Sequence, residues 1–135
     1  MTPEEFFDRM RRQWLGDLGP LAADHLTDDV VIEFPFAPPG RPTRIDGREE
    51  FRAFADPQRA ALPIRVDACE ARAFHRTADP STFIVEYTLT ATHKLSGEQA
   101  TTGFIAVITL RGDQVARWRE YQDTAAMARA LTPAP

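Results

Sequence analysis

The second half of the chain constrains the fold most strongly, because four strand-like runs follow one another there with only short turns between them. Residues of high β-propensity dominate these runs. The runs cover residues 64–74, 82–93, 100–110 and 115–123. The turn chemistry between them lies at Ala78-Asp79-Pro80, Ser96-Gly97-Glu98 and Gly112-Asp113. Strands joined in this order by short turns predict an antiparallel meander.

The run 82–93 shows which side chains point inward. Its even positions from 86 to 92 are polar, whereas its odd positions include Tyr87, Leu89 and His93. Since successive side chains of a strand point to opposite faces, the odd positions are expected on the core face. His93 stands at the hairpin end, where we expect it to be exposed. The next run is apolar on both faces over 103–110, which predicts a central strand covered on both sides.

The first half of the chain predicts helices and one strand. Thr2-Pro3-Glu4-Glu5 has the capping hydroxyl, the proline and the acids of a helix start, and Phe6, Met10 and Trp14 then recur along one helix face. That helix is expected to end near Gly16 or Gly19. The other predicted elements are a short helix at 20–26, a strand at 30–34, a loop at 36–46 that could form the lip of a pocket, a helix from Gly47 that carries Phe51 and Phe54, and a last helix at 124–131.

Helices followed by a meander indicate an α+β fold in which the helices pack against one face of a curved sheet. At 135 residues the chain fits one domain, expected over 1–131, with a flexible tail at 132–135. No internal repeat or linker divides it.

Composition argues against several classes of function. The 16 basic and 20 acidic residues are interspersed, with a net charge of -4, so no patch suited to nucleic acid or an anionic membrane is expected. No stretch approaches the roughly 20 apolar residues that span a bilayer, and the N-terminus lacks a secretion-type pattern, so a soluble cytoplasmic protein is expected. Cys69 has no disulfide partner and is expected in the core. The sequence shows no metal-binding cluster of cysteines and histidines.

The last strand-like run contains the most suggestive side chains for chemistry. On one face it places Trp118, Glu120 and Gln122, and on the other Arg117, Arg119 and Tyr121. A carboxylate beside an indole lies either in a wet groove or in a buried site, and burial raises its pKa and suits it to proton transfer. The opposite face suits either a polar dimer surface or pairing within the chain.

Four pieces of sequence, in this order along the chain, carry a resemblance to a known superfamily: Gly16-Asp17-Leu18, Asp28 to Pro35, Asp46 to Phe51 and Trp118 to Asp123. With these pieces the chain resembles the nuclear transport factor 2-like superfamily, in particular its group of SnoaL-like polyketide cyclases, limonene epoxide hydrolases and ketosteroid isomerases. The resemblance implies a cone in which a bent, mixed or antiparallel sheet wraps around a long helix, with an apolar pocket inside and often a dimer on the outer sheet surface.

The resemblance assigns roles to few residues. Glu120 matches the acid in the terminal motif of the epoxide hydrolases, but their arginine and second aspartate fall on Tyr87 and Leu89. Glu33 matches the polar residue that helps to hold water in the first strand. The base of the isomerases falls on Phe34 and their second acid on Ala106, so steroid-type isomerisation through those groups is disfavoured.

The leading hypothesis is a small-molecule protein whose apolar pocket binds a hydrophobic, oxygen-bearing ligand without a cofactor. Glu120 is the expected acid or base, with Glu33 and Tyr87 as polar partners, and Glu33 and Glu120 could meet across the cavity. The expected chemistry is isomerisation, cyclisation, dehydration or hydrolysis. The expected pocket walls, which could equally be plain core, are Trp14, Phe34, Phe36, Leu89, Phe104, Trp118 and Gln122.

Two other hypotheses remain open from the sequence. The chain could be a non-catalytic binding module, since most partner residues of the known reactions are replaced. It could also act mainly as a homodimer assembled through the outer sheet face, and its pocket would then be filled by its own side chains.

Overall fold

A computed structural model describes residues 1–15 and 24–132 of the chain. Residues 133–135 of the predicted tail at 132–135 and most of the predicted second helix lie outside the described residues. Thr132 caps the last helix, and Leu26, expected in the second helix, begins a strand instead. The elements are α1 (Pro3–Trp14), β1 (Leu26–Glu33), β2 (Arg44–Asp46), α2 (Arg48–Ala61), β3 (Ile64–Arg76), β4 (Thr82–His93), β5 (Gln99–Arg111), β6 (Gln114–Gln122) and α3 (Thr124–Leu131).

Helix α1 begins at the predicted capping sequence. The Thr2 hydroxyl accepts a hydrogen bond from the Glu5 backbone N–H at 3.1 Å, and the Glu5 side chain accepts one from the Thr2 N–H. This reciprocal capping satisfies two backbone donors that a helix start otherwise leaves free. The helix buries Phe6, Phe7 and Met10, and the Phe6 ring lies 5.2 Å from the Trp118 ring, centroid to centroid.

The six strands form one sheet in the order β2-β1-β6-β5-β4-β3. The predicted meander is confirmed, since β3, β4, β5 and β6 pair antiparallel in succession. Strand β1 joins the sheet by parallel pairing with β6, with Ile32 opposite Trp118. Within residues 1–15 and 24–132, three helices and an open mixed sheet confirm the α+β class.

The two faces of the sheet differ in burial. Strand β4 alternates as predicted, and Val85 and Tyr87 are almost fully buried on the inner face. Strand β5 is central in the strand order, but the expectation that both its faces are covered is wrong within this chain, because Ile105 on the outer face is 42% exposed. The inner face therefore carries the core.

Two local predictions are corrected. The segment expected to be a loop contains β2, which pairs antiparallel with β1 and buries Ile45. His93 is buried rather than exposed, because its Nδ1 accepts hydrogen bonds from the backbone N–H groups of Leu95 and Ser96, at 3.2 and 3.4 Å. The imidazole thus holds the β4–β5 hairpin together.

Candidate functional site

Glu120 lies on the inner face of β6, where the sequence places it. Glu120 pairs with Ala106 on the neighbouring strand β5, and Ala106 pairs in turn with Val85 on β4, so the three side chains form one row across the sheet. Because Ala106 carries only a methyl group, the row leaves room for the longer glutamate side chain. Glu120 is only 9% exposed, so its carboxyl group lies within the core.

Two side chains hold the Glu120 carboxyl group. The Tyr87 hydroxyl donates a short hydrogen bond to Oε1, and Gln122 Nε2 donates one to Oε2 at 2.8 Å. Tyr87 contacts Glu120 diagonally across the sheet, because its direct partner on β5 is Phe104 and not Ala106. The tyrosine ring stacks on Phe104 at 5.0 Å and meets the edge of Phe7 at 5.9 Å, so packing fixes its position.

The surroundings favour the protonated form of Glu120. Burial raises the pKa of this carboxyl group above its usual range, while hydrogen bonds from Tyr87, Gln122 and Trp118 act in the opposite direction. Burial and the nearby Glu120 charge likewise raise the pKa of Tyr87 well above its ordinary value. Among the described ion pairs none involves Glu120, so no cation offsets the loss of solvation.

Cys69 confirms the expectation of a core thiol. It is buried, and desolvation raises its pKa to about 12. At neutral pH the group is therefore a thiol and a poor nucleophile.

Glu33 does not meet Glu120, and the expected pair across a cavity is wrong. Glu33 lies opposite Arg119 in the parallel β1–β6 pairing, on the outer side of the sheet. Its carboxylate accepts hydrogen bonds from Nε of Arg117 at 2.8 Å and pairs with the same guanidinium at 2.7 Å. Glu33 therefore forms a structural ion pair with Arg117 on the outer face of the sheet.

The expected wall residues fall into two groups. Leu89 and Phe104 are buried, Trp14, Phe34 and Trp118 pack partly buried against the same core, and Gln122 binds Glu120 directly. Phe36 is placed wrongly by the sequence analysis, because its side chain is 65% exposed and its ring meets Tyr121, 5.3 Å away.

Two surface depressions in the described part of the chain are not lined by Glu120. One, of about 410 Å³, lies beside Gln13 and His25. The other, of about 450 Å³, lies between α1 and β3 and is lined by Phe7, Cys69 and Ala71. An apolar pocket opening at Glu120 therefore stays a prediction, and in this conformation side chains pack around the carboxyl group.

Sequence reasoning missed the parts played by Phe7 and Ala106. Phe7 neighbours the predicted inner face of α1, and its i to i+3 spacing to Met10 was an available signal. Ala106 matters because it pairs directly with Glu120 on the neighbouring strand, and that register cannot be read from the sequence of one strand alone.

No group of three or more histidine, cysteine or acidic side chains in the described part of the chain is arranged to hold a metal ion. No helix within residues 1–15 and 24–132 has the length and apolar character needed to cross a bilayer.

Comparisons with known proteins agree with this architecture. The family model of the SnoaL-like domain matches residues 4–118. An uncharacterized PhzA/B-like protein of Pseudomonas aeruginosa is 33% identical over 91 residues, which are 67% of this chain and 62% of that protein. The chain spans less than two thirds of the length of the curated relatives it matches.

Two solved structures show the same fold. A candidate isomerase from Bacillus subtilis matches with a TM-score of 0.75 at 24% identity, over 94% of this chain and 87% of that one. A protein of Catenulispora acidiphila with a ketosteroid isomerase-like fold matches with a TM-score of 0.70 at 14% identity, over the full length of both. The resemblance stated from the sequence is confirmed, and the chain belongs to the SnoaL-like domain family.

Proposed function

We propose that this protein binds a hydrophobic, oxygen-bearing small molecule in its interior and transfers a proton on it through Glu120, without a cofactor. The observation that carries the proposal is the buried Glu120 carboxyl group, held by Tyr87 and Gln122 in an apolar core. Structural carboxylates of small domains are usually exposed or paired with a cation, and this one is neither.

The chemistry follows from the pKa directions. A carboxyl group whose pKa is raised by burial can give a proton to a ligand oxygen, and its ionised form can take one from carbon. Tyr87, whose pKa is raised further, stays protonated and can donate a hydrogen bond to the oxygen that gains negative charge. Isomerisation, aldol-type cyclisation and dehydration can use these two actions, whereas in hydrolysis the carboxylate would take its proton from water.

Ligand binding requires side chains to move, because the core is packed around Glu120. The energetic gain is the burial of an apolar ligand surface at about 25 cal/mol per Å². We expect the side chains at the edge of the core to move first. These include Trp14 and Phe34, which are only partly buried.

The test begins with the ligand. Native mass spectrometry of the purified protein identifies any bound small molecule, and turnover is then compared between the wild type and Glu120→Gln. We expect the substitution to lower the rate by about 10²- to 10⁴-fold, as is typical for loss of a general acid or base. Glu98→Gln, at an exposed turn position, is the matched control and should leave turnover unchanged.

A direct measurement of the carboxyl group complements this test. Carbon-13 NMR titration should place the pKa of Glu120 above the ordinary value of about 4.3. Unchanged turnover in Glu120→Gln, or an ordinary titration of Glu120, would contradict the proposal.

A non-catalytic role is the second candidate, and the packed interior favours it. If the core keeps its ligand-free packing, Glu120 only anchors Tyr87 and Gln122 within the fold. This role predicts a protein that is purified without ligand and a Glu120→Gln variant that changes only stability.

A further inference from the structure

Both oxygens of the buried Glu120 carboxyl group accept hydrogen bonds. The Tyr87 hydroxyl donates to Oε1, and the Gln122 side-chain amide donates through Nε2 to Oε2, 2.8 Å away. An ionised carboxylate only accepts and suits this arrangement, whereas a protonated carboxyl group has an O–H that donates. Burial favours the protonated form, and a buried O–H without an acceptor costs free energy. One of the two contacts is therefore expected to reverse its direction when Glu120 binds a proton.

The Tyr87 hydroxyl is poorly suited to become the acceptor. Tyr87 is only 2% exposed, and its ring is held by stacking on Phe104 and by the edge contact with Phe7. If the hydroxyl accepted the Glu120 proton, its own hydrogen would have to leave Oε1 and point into this apolar packing. The reversal would leave a buried donor unpaired, which costs free energy in turn.

The Gln122 amide can reverse without that cost. A primary amide carries an acceptor oxygen and a donor nitrogen on the same carbon, and a rotation of about 180° exchanges them in nearly the same volume. After the rotation, Oε1 takes the place of Nε2 and accepts the Glu120 proton. Gln122 is only partly buried, so the N–H groups that lose the carboxylate can bind water.

The backbone holds Gln122 in place for such a rotation. Gln122 is the last residue of β6 and pairs with Phe104 on β5. The next residue, Asp123, donates its backbone N–H to the Gly103 carbonyl oxygen at 3.1 Å and caps α3 with its side chain. Because the main chain is fixed on both sides, only the side-chain torsions of Gln122 need to change.

We propose that Gln122 is a reversible hydrogen-bond partner of Glu120, which donates through Nε2 to the carboxylate and accepts through Oε1 from the protonated acid. Gln122 is thus a positioning residue that serves both protonation states of the carboxyl group. This inference rests on the proposed function only for its effect on turnover, because the amide rotation itself needs no ligand. In the proposed reaction, the rotation lets Glu120 release and regain a proton without leaving its O–H or its charge unpaired.

The other groups around Glu120 give no competing response near neutral pH. Tyr87 faces it from β4 and Cys69 from β3, and burial raises the pKa of Tyr87 well above its ordinary value and the pKa of Cys69 to about 12. Both groups therefore stay protonated. The Trp118 indole on β6 only donates, and Arg11 on α1, which acts on Cys69, stays charged. A change at the Gln122 amide near neutral pH would thus report the Glu120 proton.

Carbon-13 NMR of the full chain over a pH series measures both side chains. The Glu120 Cδ resonance gives the midpoint of its titration. We expect the Gln122 Cδ resonance to move downfield on protonation with the same midpoint, because its oxygen then accepts a hydrogen bond that withdraws electron density from the carbon. A fixed amide would only lose its charged acceptor, and its carbon would move upfield.

Two controls accompany the titration. Gln99 is an exposed glutamine whose Nε2 donates to Asp67 at 3.2 Å, and its Cδ resonance should not move at the Glu120 midpoint. Glu120→Gln removes the proton and should abolish the movement at Gln122. An upfield or absent movement of the Gln122 resonance in the wild type, or a Glu120 resonance that does not titrate, would overturn the proposal.

A second measurement uses Gln122→Met, in which a side chain of similar length neither donates nor accepts strongly. A reversible partner stabilises both states of Glu120, so the unfolding equilibrium constant should rise by about threefold or more both below and above the Glu120 midpoint. Gln99→Met is the matched control and should stay close to the wild type. A rise confined to pH values above the midpoint would indicate a fixed donor and contradict the inference.

Turnover separates this inference from the proposed function. Rotation of the Gln122 amide with full turnover in Glu120→Gln would refute the proposed function alone. A fixed Gln122 amide, in a protein whose Glu120→Gln variant loses turnover, would refute the role of Gln122 alone.

Discussion

At the scale of single residues, the state of Glu120 depends on a balance between burial and hydrogen bonding. Removal from water favours the neutral acid, and the donors Tyr87, Gln122 and Trp118 favour the carboxylate. Ala106 makes this balance possible, because its small side chain leaves space in the core for the Glu120 carboxyl group.

The raised pKa has a consequence for stability that can be measured. The unfolded chain loses its Glu120 proton near the ordinary value, whereas the folded chain keeps it to higher pH. Between these two values folding binds a proton, so wild-type stability relative to Glu120→Gln should fall as pH rises, by at most about 1.4 kcal/mol per pH unit. Below the ordinary value and above the raised one the difference should be constant.

Urea unfolding at a series of pH values from 4 to 8 measures this difference. Glu98→Gln, at an exposed position, is the matched control. A difference between wild type and Glu120→Gln that does not change with pH would mean that Glu120 titrates alike in the folded and unfolded chain.

Glu33 and Glu120 also show how far residue patterns can be taken. The alternation of β6 places Glu120 on the inner face correctly, because its neighbours Trp118 and Gln122 share that face. Glu33 is misplaced because its face depends on the pairing of β1 with β6, and a run of five β-prone residues does not reveal that pairing. Local pattern predicts faces, whereas partners depend on register.

At the scale of elements, the short connection before α2 depends on Gly47. This residue has a φ of 97°, a left-handed conformation that glycine adopts without steric cost, and its N–H donates a 2.7 Å hydrogen bond to the Val30 carbonyl oxygen. An added Cβ would also lie 3.7 Å from the Asp28 carbonyl oxygen. The turn thereby fixes the start of α2 against β1.

Gly47→Ala should lower the free energy of unfolding by about 1–2 kcal/mol, because alanine is strained in this conformation. Gly103→Ala is the control, since that glycine has no positive φ and open space around its Cβ position. Chemical denaturation of both variants checks the expectation. If the two substitutions had the same effect, backbone conformation at Gly47 would not matter.

Elements with a strong local signal were predictable, and elements that depend on partners were not. The sequence predicts α3 and β4 with the bounds found in the structure, because capping and strict alternation mark them. The strand β2 has only three residues and owes its existence to β1, and the beginning of β1 is rich in polar residues. His93 was misjudged because its burial depends on how the hairpin folds over it.

At the scale of the whole molecule, the outer face of the sheet is available for a second copy of the chain. Ile105 is exposed near the middle of the central strand β5, where it lies between Glu86 of β4 and Tyr121 of β6. The family resemblance implies a homodimer on this face, and that assembly stays a prediction.

Ile105→Lys should weaken such a dimer by about tenfold or more, because a charged group would be buried without a partner. Leu95→Lys, at a hairpin position that is 88% exposed, is the matched control and should keep the wild-type oligomeric state. Sedimentation velocity over a range of concentrations gives the dissociation constants. A monomeric wild type, or equal constants for the two lysine variants, would exclude this interface.

The parallel pairing of β1 with β6 has a consequence for synthesis on the ribosome. Residues 26–33 emerge early, but their partner strand at 114–122 emerges only when most of the chain has been made. Until then β1 can pair only with β2, and the apolar side chains of Val30 and Ile32 lack their final neighbours. The nascent chain is therefore expected to expose the apolar surface and the unpaired edge of β1 until β6 has been made. Such a segment is prone to aggregation and is of the kind that chaperones bind.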